Sequence, residues 1–182
     1  GGMGQVYRAF DRLQEKMVAI KIPRPTRGGT PEPRRSGPAH PLSREFRAWA
    51  AMRHPNVVRV REIGVVAEGP FPRGTPFLSL ENFDSLPVHL GSEPGRIGYR
   101  DLKGITVQIL QGLAHIHNLG LVHRDMKPGN ILLGRSLRGA GRVKITDFGL
   151  AIGAGESEEP GTITGSFPYV APEGIHGMAL DL

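Results

Sequence analysis

The sequence predicts an α+β fold, and three features of it carry that prediction. Short β-rich runs dominate the chain up to about residue 80. The polar residues Glu81, Asn82 and Asp84 then suggest a crossing between two lobes. A long stretch with helical apolar spacing follows. At 182 residues the chain is long enough for one sizeable domain or two small lobes sharing a cleft.

Val6 to Phe10 and Met17 to Ile22, joined by the polar turn Asp11 to Lys16, read as a β-hairpin. Next comes a segment in which Arg24, Arg27, Arg34 and Arg35 alternate with Pro23, Pro25, Pro31, Pro33, Pro38 and Pro41. Such a composition cannot bury a core, so residues 23–42 are expected to form a mobile insertion. Ser43 is a candidate N-cap for a helix carrying Glu45, Phe46, Trp49 and Met52, with Phe46 and Trp49 on one face. His54-Pro55-Asn56 ends it, because the residue before a proline is pushed out of the helical region. Val57 to Val66 and Phe77 to Leu80 read as further strands. Leu102 to Asn118 is predicted as an amphipathic helix with Ile105, Ile109, Leu110, Leu113 and Ile116 on its core side and Gly120 as its stop. Ile131 to Leu133 and Val143 to Ile145 read as two short strands, and the stretch after Gly149 as a Gly-rich acidic loop.

Several classes are disfavoured at once. No apolar run approaches the roughly 18 residues that read as a membrane-spanning helix. The absence of cysteine excludes disulfides and thiolate metal sites and fits a reducing compartment. The net charge of +6 invites a nucleic-acid-binding reading, but much of it sits in the Pro/Arg segment, so no specific nucleic-acid partner is expected.

The chemistry is concentrated in four places. Gly1-Gly2-Met3-Gly4-Gln5-Val6 opens directly into a strand, and glycines let backbone N–H groups approach a phosphate closely. No Gly-Lys-Ser/Thr follows, so this is not a Walker A loop. Val18-Ala19-Ile20-Lys21 ends an apolar strand with a cation. His123-Arg124-Asp125-Met126-Lys127-Pro128-Gly129-Asn130 supplies a carboxylate, a lysine and an amide, and Asp147-Phe148-Gly149 a second carboxylate. Together these are the inventory for moving a phosphoryl group: an acceptor for the hydroxyl proton, a cation for the phosphate and two oxygen ligands for Mg²⁺.

This set, in this order, resembles the glycine loop, strand lysine, catalytic loop and metal loop of protein kinases, and its wording is most similar to bacterial-type serine/threonine kinases. The resemblance runs from Gly1 to about Glu173 and implies a bilobal fold. A β-rich N-lobe with one helix would span 1–80, a hinge 81–84, and a mainly helical, partial C-lobe 85–182. Catalysis would fall to Asp125 and Lys127, with Lys21 holding the nucleotide phosphates and Glu45 orienting Lys21. ATP would be held by Gly1, Gly2, Gly4, Val6, Ala19, Lys21, Glu81, Phe83 and Leu132, and Mg²⁺ by Asn130 and Asp147. His123 would be structural.

The segment from Asp147 to Glu173 resembles an activation loop. Ser166 stands where the family usually has a threonine that contacts the catalytic aspartate, Thr162 and Thr164 are candidate phosphorylation sites, and Arg124 is their expected charge partner. Ile152 departs from the basic residue common there in phosphorylation-switched members, while Glu156, Glu158 and Glu159 already carry negative charge. Phosphorylation is therefore expected to matter less than usual. Trp49 also departs, standing where the family has a smaller apolar residue. The resemblance implies a serine/threonine protein kinase acting on protein hydroxyls. Because the family continues at both ends, the chain as it stands is expected to be weakly active or inactive. A nucleotide-binding pseudokinase or scaffold is the alternative, which intact Lys21, Asp125, Asn130 and Asp147 argue against. A cytoplasmic location is expected, with residues outside this chain able to tether the protein to a membrane.

Overall fold

The computed structural model describes residues 4–23, 49–50, 52–87, 98–134, 141–147, 152–153, 166–170 and 172. The predicted insertion past Pro23 and the helix start with Ser43, Glu45 and Phe46 lie outside them. The chain divides into two compact units, Gly1–Arg53 with Arg59–Phe83, and His54–Val58 with Asp84–Leu182.

The first unit is built on a four-stranded antiparallel sheet in the order β1-β2-β4-β3, with β1 at Gly4–Asp11, β2 at Lys16–Pro23, β3 at Val60–Val65 and β4 at Pro76–Glu81. The predicted hairpin is β1-β2. Asp11 closes its turn by accepting the amides of Leu13 and Gln14 on Oδ1, each at 3.0 Å, a local bond that competes with further strand. Opposed residues on antiparallel strands share a face, so Lys21 and Ala19 of β2 lie on the same side as Leu78 and Leu80 of β4. Both faces of these central strands are buried, with Val18 and Ile22 on one side and Lys21, Leu78 and Leu80 on the other. Trp49, which is helical, and Met52 are buried as the helical spacing predicts.

The second unit holds a small sheet in the order β5-β7-β8, from Ser85–Pro87, Ile131–Gly134 and Val143–Ile145. One long helix, α1, spans Tyr99–Asn118, and a two-stranded pair joins β6 at Leu121–Val122 to β9 at Ile152–Gly153. The predicted strand from Val57 to Val66 is in fact divided. Ile145 donates its amide to Asn56 O and accepts from Val58 N, both at 2.8 Å, so His54–Val58 lies along β8 and only Val60–Val65 joins the first sheet. The outer edge of β8 would otherwise present unpaired backbone groups, and this segment covers it.

Helix α1 buries Ile105 and Ile116, and Ile109 and Leu113 are half-buried, as the spacing predicts. Leu110 does not join them; it is 58% exposed. Five residues at 100° each place it well off the Ile105 face, and the buried stripe continues instead through Gln108 and Gly112. Gly112 is there because β8 needs the room: a Cβ on it would stand 2.8 Å from Ile145 Cδ1 and 3.1 Å from Asn56 O. The helix stops at Gly120, whose φ of 69° suits a residue without Cβ and whose amide donates to His117 O at 2.8 Å.

Candidate active site

The loop between β6 and β7 folds around one carboxylate. Asp125 is 1% exposed, and its oxygens are held from three directions. Lys127 Nζ donates to Oδ2 at 2.6 Å, Asn130 Nδ2 to the same oxygen at 3.0 Å, and the Ser166 amide to Oδ1 at 3.1 Å. Asn130 Nδ2 also donates to Asp125 O at 2.7 Å, which closes the loop on itself through the 3-10 turn Pro128–Asn130. Lys127 further donates to Ser166 Oγ at 2.6 Å, so the serine touches both the carboxylate and its cation. Burial alone pushes the Asp125 carboxyl upward, but the bonds from Lys127, Ser166 and Asn130, with the Lys127 charge, outweigh it and hold the group below the usual aspartate range. It is ionised at neutral pH.

His123, 2% exposed, ties this loop to the second carboxylate. Its Nδ1 accepts the Asp125 amide at 3.3 Å and its Nε2 meets Thr146 O at 3.0 Å, a pairing that requires the neutral ring protonated on Nε2. Burial, partly countered by the Thr146 bond and by the charges of Asp125 and Asp147, lowers its basicity, in agreement with that tautomer. Thr146 N donates in turn to Asn130 O at 3.0 Å. Asp147, the next residue, and Arg124 both sit in the left-handed region, at φ 72° and 61°. Each such residue costs about 1–3 kcal/mol.

The backbone of Asn130 is thus tied to Thr146, the residue before Asp147. The Asn130 amide spends only its nitrogen, so Oδ1 receives no hydrogen bond among the described residues. An amide oxygen and a carboxylate are both hard donors of the kind Mg²⁺ takes. No group of three or more His, Cys, Asp or Glu that could hold a metal occurs among the described residues, so a cation here would complete its shell with phosphate oxygens and water.

The remaining candidates lie in both units. Leu132, on β7, is half-buried opposite Lys144. In the β unit Gly4 has φ 153°, a conformation that favours glycine, and Val6 faces Lys21 across β1-β2 while Ala19 faces Leu80 across β2-β4. Glu81 is committed at both ends to Arg59: its amide donates to Arg59 O and its Oε1 accepts the Arg59 amide, each at 2.9 Å. Phe83 closes this unit. Lys21 is 7% exposed, and its Nζ lies 5.9 Å from the Trp49 ring centroid. Gly1, Gly2, Glu45, Thr162, Thr164 and the acidic residues Glu156, Glu158 and Glu159 lie outside the described residues.

Two supporting residues escape a sequence reading. Gln108 accepts from both Asn56 Nδ2 at 3.0 Å and Val143 N at 2.9 Å, and Asn56 Nδ2 also reaches Val143 O at 2.9 Å. The available signal was a glutamine in the middle of an apolar helical stripe.

A model of the protein kinase domain matches residues 1–181, almost the whole chain. The chain belongs to the protein kinase family. The chain is 34% identical over 176 residues to the serine/threonine-protein kinase PknA of Mycobacterium tuberculosis, an alignment covering 95% of this chain and 38% of that protein. It is 33% identical over 192 residues to the DNA damage-responsive serine/threonine-protein kinase RqkA of Deinococcus radiodurans, covering 100% of this chain and 26% of that protein. Among solved structures it is similar to a chain of the yeast RNA polymerase II CTD kinase complex CTDK-1, with a TM-score of 0.60 and 30% identity over 84% of this chain and 46% of that one. The chain therefore spans well under half the length of these curated relatives. The α+β kinase fold expected from the sequence is the fold observed.

Proposed function

We propose that the protein is a serine/threonine kinase that transfers the γ-phosphoryl group of ATP to hydroxyls of protein substrates. The observation that carries this reading is the Asp125 carboxylate held ionised by Lys127, Asn130 and Ser166. In the reaction the acceptor oxygen bonds to the γ-phosphorus, the bond from that phosphorus to the β,γ-bridging oxygen breaks, and ADP departs. The hydroxyl proton passes to Asp125. A carboxyl held below the ordinary aspartate range is a poor base for the free alcohol, so its work is to orient the O–H first and take the proton late, as a loose transition state allows. Lys127, already 2.6 Å from Asp125, places a positive charge where the transferred phosphoryl oxygens would pass.

Asn130 and Asp147 would hold Mg²⁺, whose role is to offset charge on the phosphate oxygens. Lys21, with Glu45 orienting it, would hold the nucleotide phosphates. Gly1, Gly2, Gly4 and Val6 would cover the nucleotide, Ala19 and Leu132 would flank the purine, and Glu81 and Phe83 would meet its edge through backbone groups. In this reading residues 1–80 form the nucleotide lobe, 81–84 the hinge and 85–182 part of the substrate lobe. Arg124 would pair with phosphate on Thr162 or Thr164. The chain is read as part of a cytoplasmic protein, and no described helix is long and apolar enough to cross a membrane. No observation favours the pseudokinase alternative.

The test compares phosphate transfer from Mg²⁺-ATP to a generic basic protein by the wild-type protein and by Asp125→Asn. Incorporation is expected to fall at least about a hundredfold. Equal incorporation by both would reject the assignment.

A further inference from the structure

Lys21 carries its cation into surroundings that are 7% exposed, on the face of β2 shared with Leu78 and Leu80. Burial strips an ammonium of hydration, a cost that its neighbours must offset. Trp49, itself 1% exposed, answers part of that loss by setting its ring 5.9 Å from Nζ, inside the range of a cation–π attraction. Indole is the strongest such partner among side chains. It also differs in kind from a carboxylate. A carboxylate takes N–H donors of an ammonium, whereas a ring face adds charge stabilisation without taking one.

We propose that Trp49 is a positioning residue for Lys21: its indole face holds the ammonium aimed where the phosphates of a nucleotide would arrive. The inference rests on the reading of Lys21 as the phosphate-holding cation. It gives a purpose to a tryptophan where the family has a smaller apolar side chain.

The chain contains a single tryptophan, so its tryptophan emission reports the surroundings of Trp49. Without nucleotide, Lys21→Met is expected to change Trp49 emission measurably by removing the cation from its ring; unchanged emission overturns the proposal. Mg²⁺-ADP affinity is then measured by equilibrium dialysis for wild type, Trp49→Phe and Trp49→Leu, each with and without Lys21→Met. With Lys21 present, Trp49→Leu is expected to weaken binding about fivefold and Trp49→Phe about twofold. In the Lys21→Met background neither should weaken it further, since the two residues act through one contact.

Equal weakening in both backgrounds makes the indole a core filler and overturns the proposal. Should Trp49→Leu fail to fold, Trp49→Phe carries the same comparison, and the Lys21→Met emission needs no change at Trp49. A different result marks failure of the underlying reading: Lys21→Met leaving Mg²⁺-ADP affinity unchanged means that Lys21 holds no phosphate.

Discussion

Asp125 has about four lone-pair sites, and donors from Lys127, Asn130 and Ser166 take three of them. The position left is on Oδ1, so the proposed acceptor hydroxyl would have one way only to reach the carboxylate. Lys127 carries much of this arrangement. Lys127→Met is expected to lower kcat by about 10²–10³ through loss of charge beside the transferred phosphoryl group. It also removes the largest stabiliser of the Asp125 anion, so the acid limb of the kcat/KM profile should move towards neutral pH. A pH–rate profile for the variant checks both effects, and an unmoved acid limb would count against the lysine's control of the carboxylate.

His123 works in the other direction. Its basicity in the folded chain is lowered from the ordinary 6.5, so below about that pH the unfolded chain binds more protons. Its contribution is full above pH 6.5 and is lost as pH falls towards the folded value. Thermal unfolding followed between pH 7 and 5 should show a falling Tm, with a shallower fall for His123→Asn. His54, lowered by its own burial and by His115 and Lys144, adds to the same trend, so the slope should shrink rather than vanish.

At the level of elements, α1 shows how far periodicity reaches. Ile105 and Ile116 were legible because apolar spacing alone marks a buried stripe, but the same count misassigned Leu110. Gly112 and Gln108 could not be placed from sequence, since their roles depend on Ile145 and Val143, more than thirty residues later. The loop between β6 and β7 behaved differently. Asp125, Lys127 and Asn130 lie within six residues, so their convergence is a local event that the sequence can state. The Lys21–Trp49 contact was hidden because it joins a strand to a helix, and helical spacing says only that Trp49 is core. Gly112→Ala tests the helix–sheet contact. Alanine improves helix propensity by about 1 kcal/mol, but crowding Ile145 and the Asn56 carbonyl costs about 1–3 kcal/mol. A net loss near 1 kcal/mol is expected, read as a lower denaturant midpoint at unchanged slope.

Across the whole molecule, the chain passes from one unit to the other three times, after Arg53, after Val58 and after Phe83. The middle segment is held by Asn56, whose side chain reaches Gln108 and Val143 and whose carbonyl takes the Ile145 amide. Asn56→Ala removes two side-chain bonds from buried surroundings and is expected to cost about 1–3 kcal/mol. Hydrogen exchange at the Ile145 amide should quicken accordingly, and exchange at the wild-type rate would show that the segment is held by other means. Beyond that segment, β3 carries a frame shift of its own: Val60 pairs with Leu80 and Glu62 with Ser79, across a bulge. Two residues that a regular strand would set on one face therefore stand on opposite faces of the sheet. A single extra residue thus decides which side of β3 each later side chain takes, although the strand's own composition does not record it.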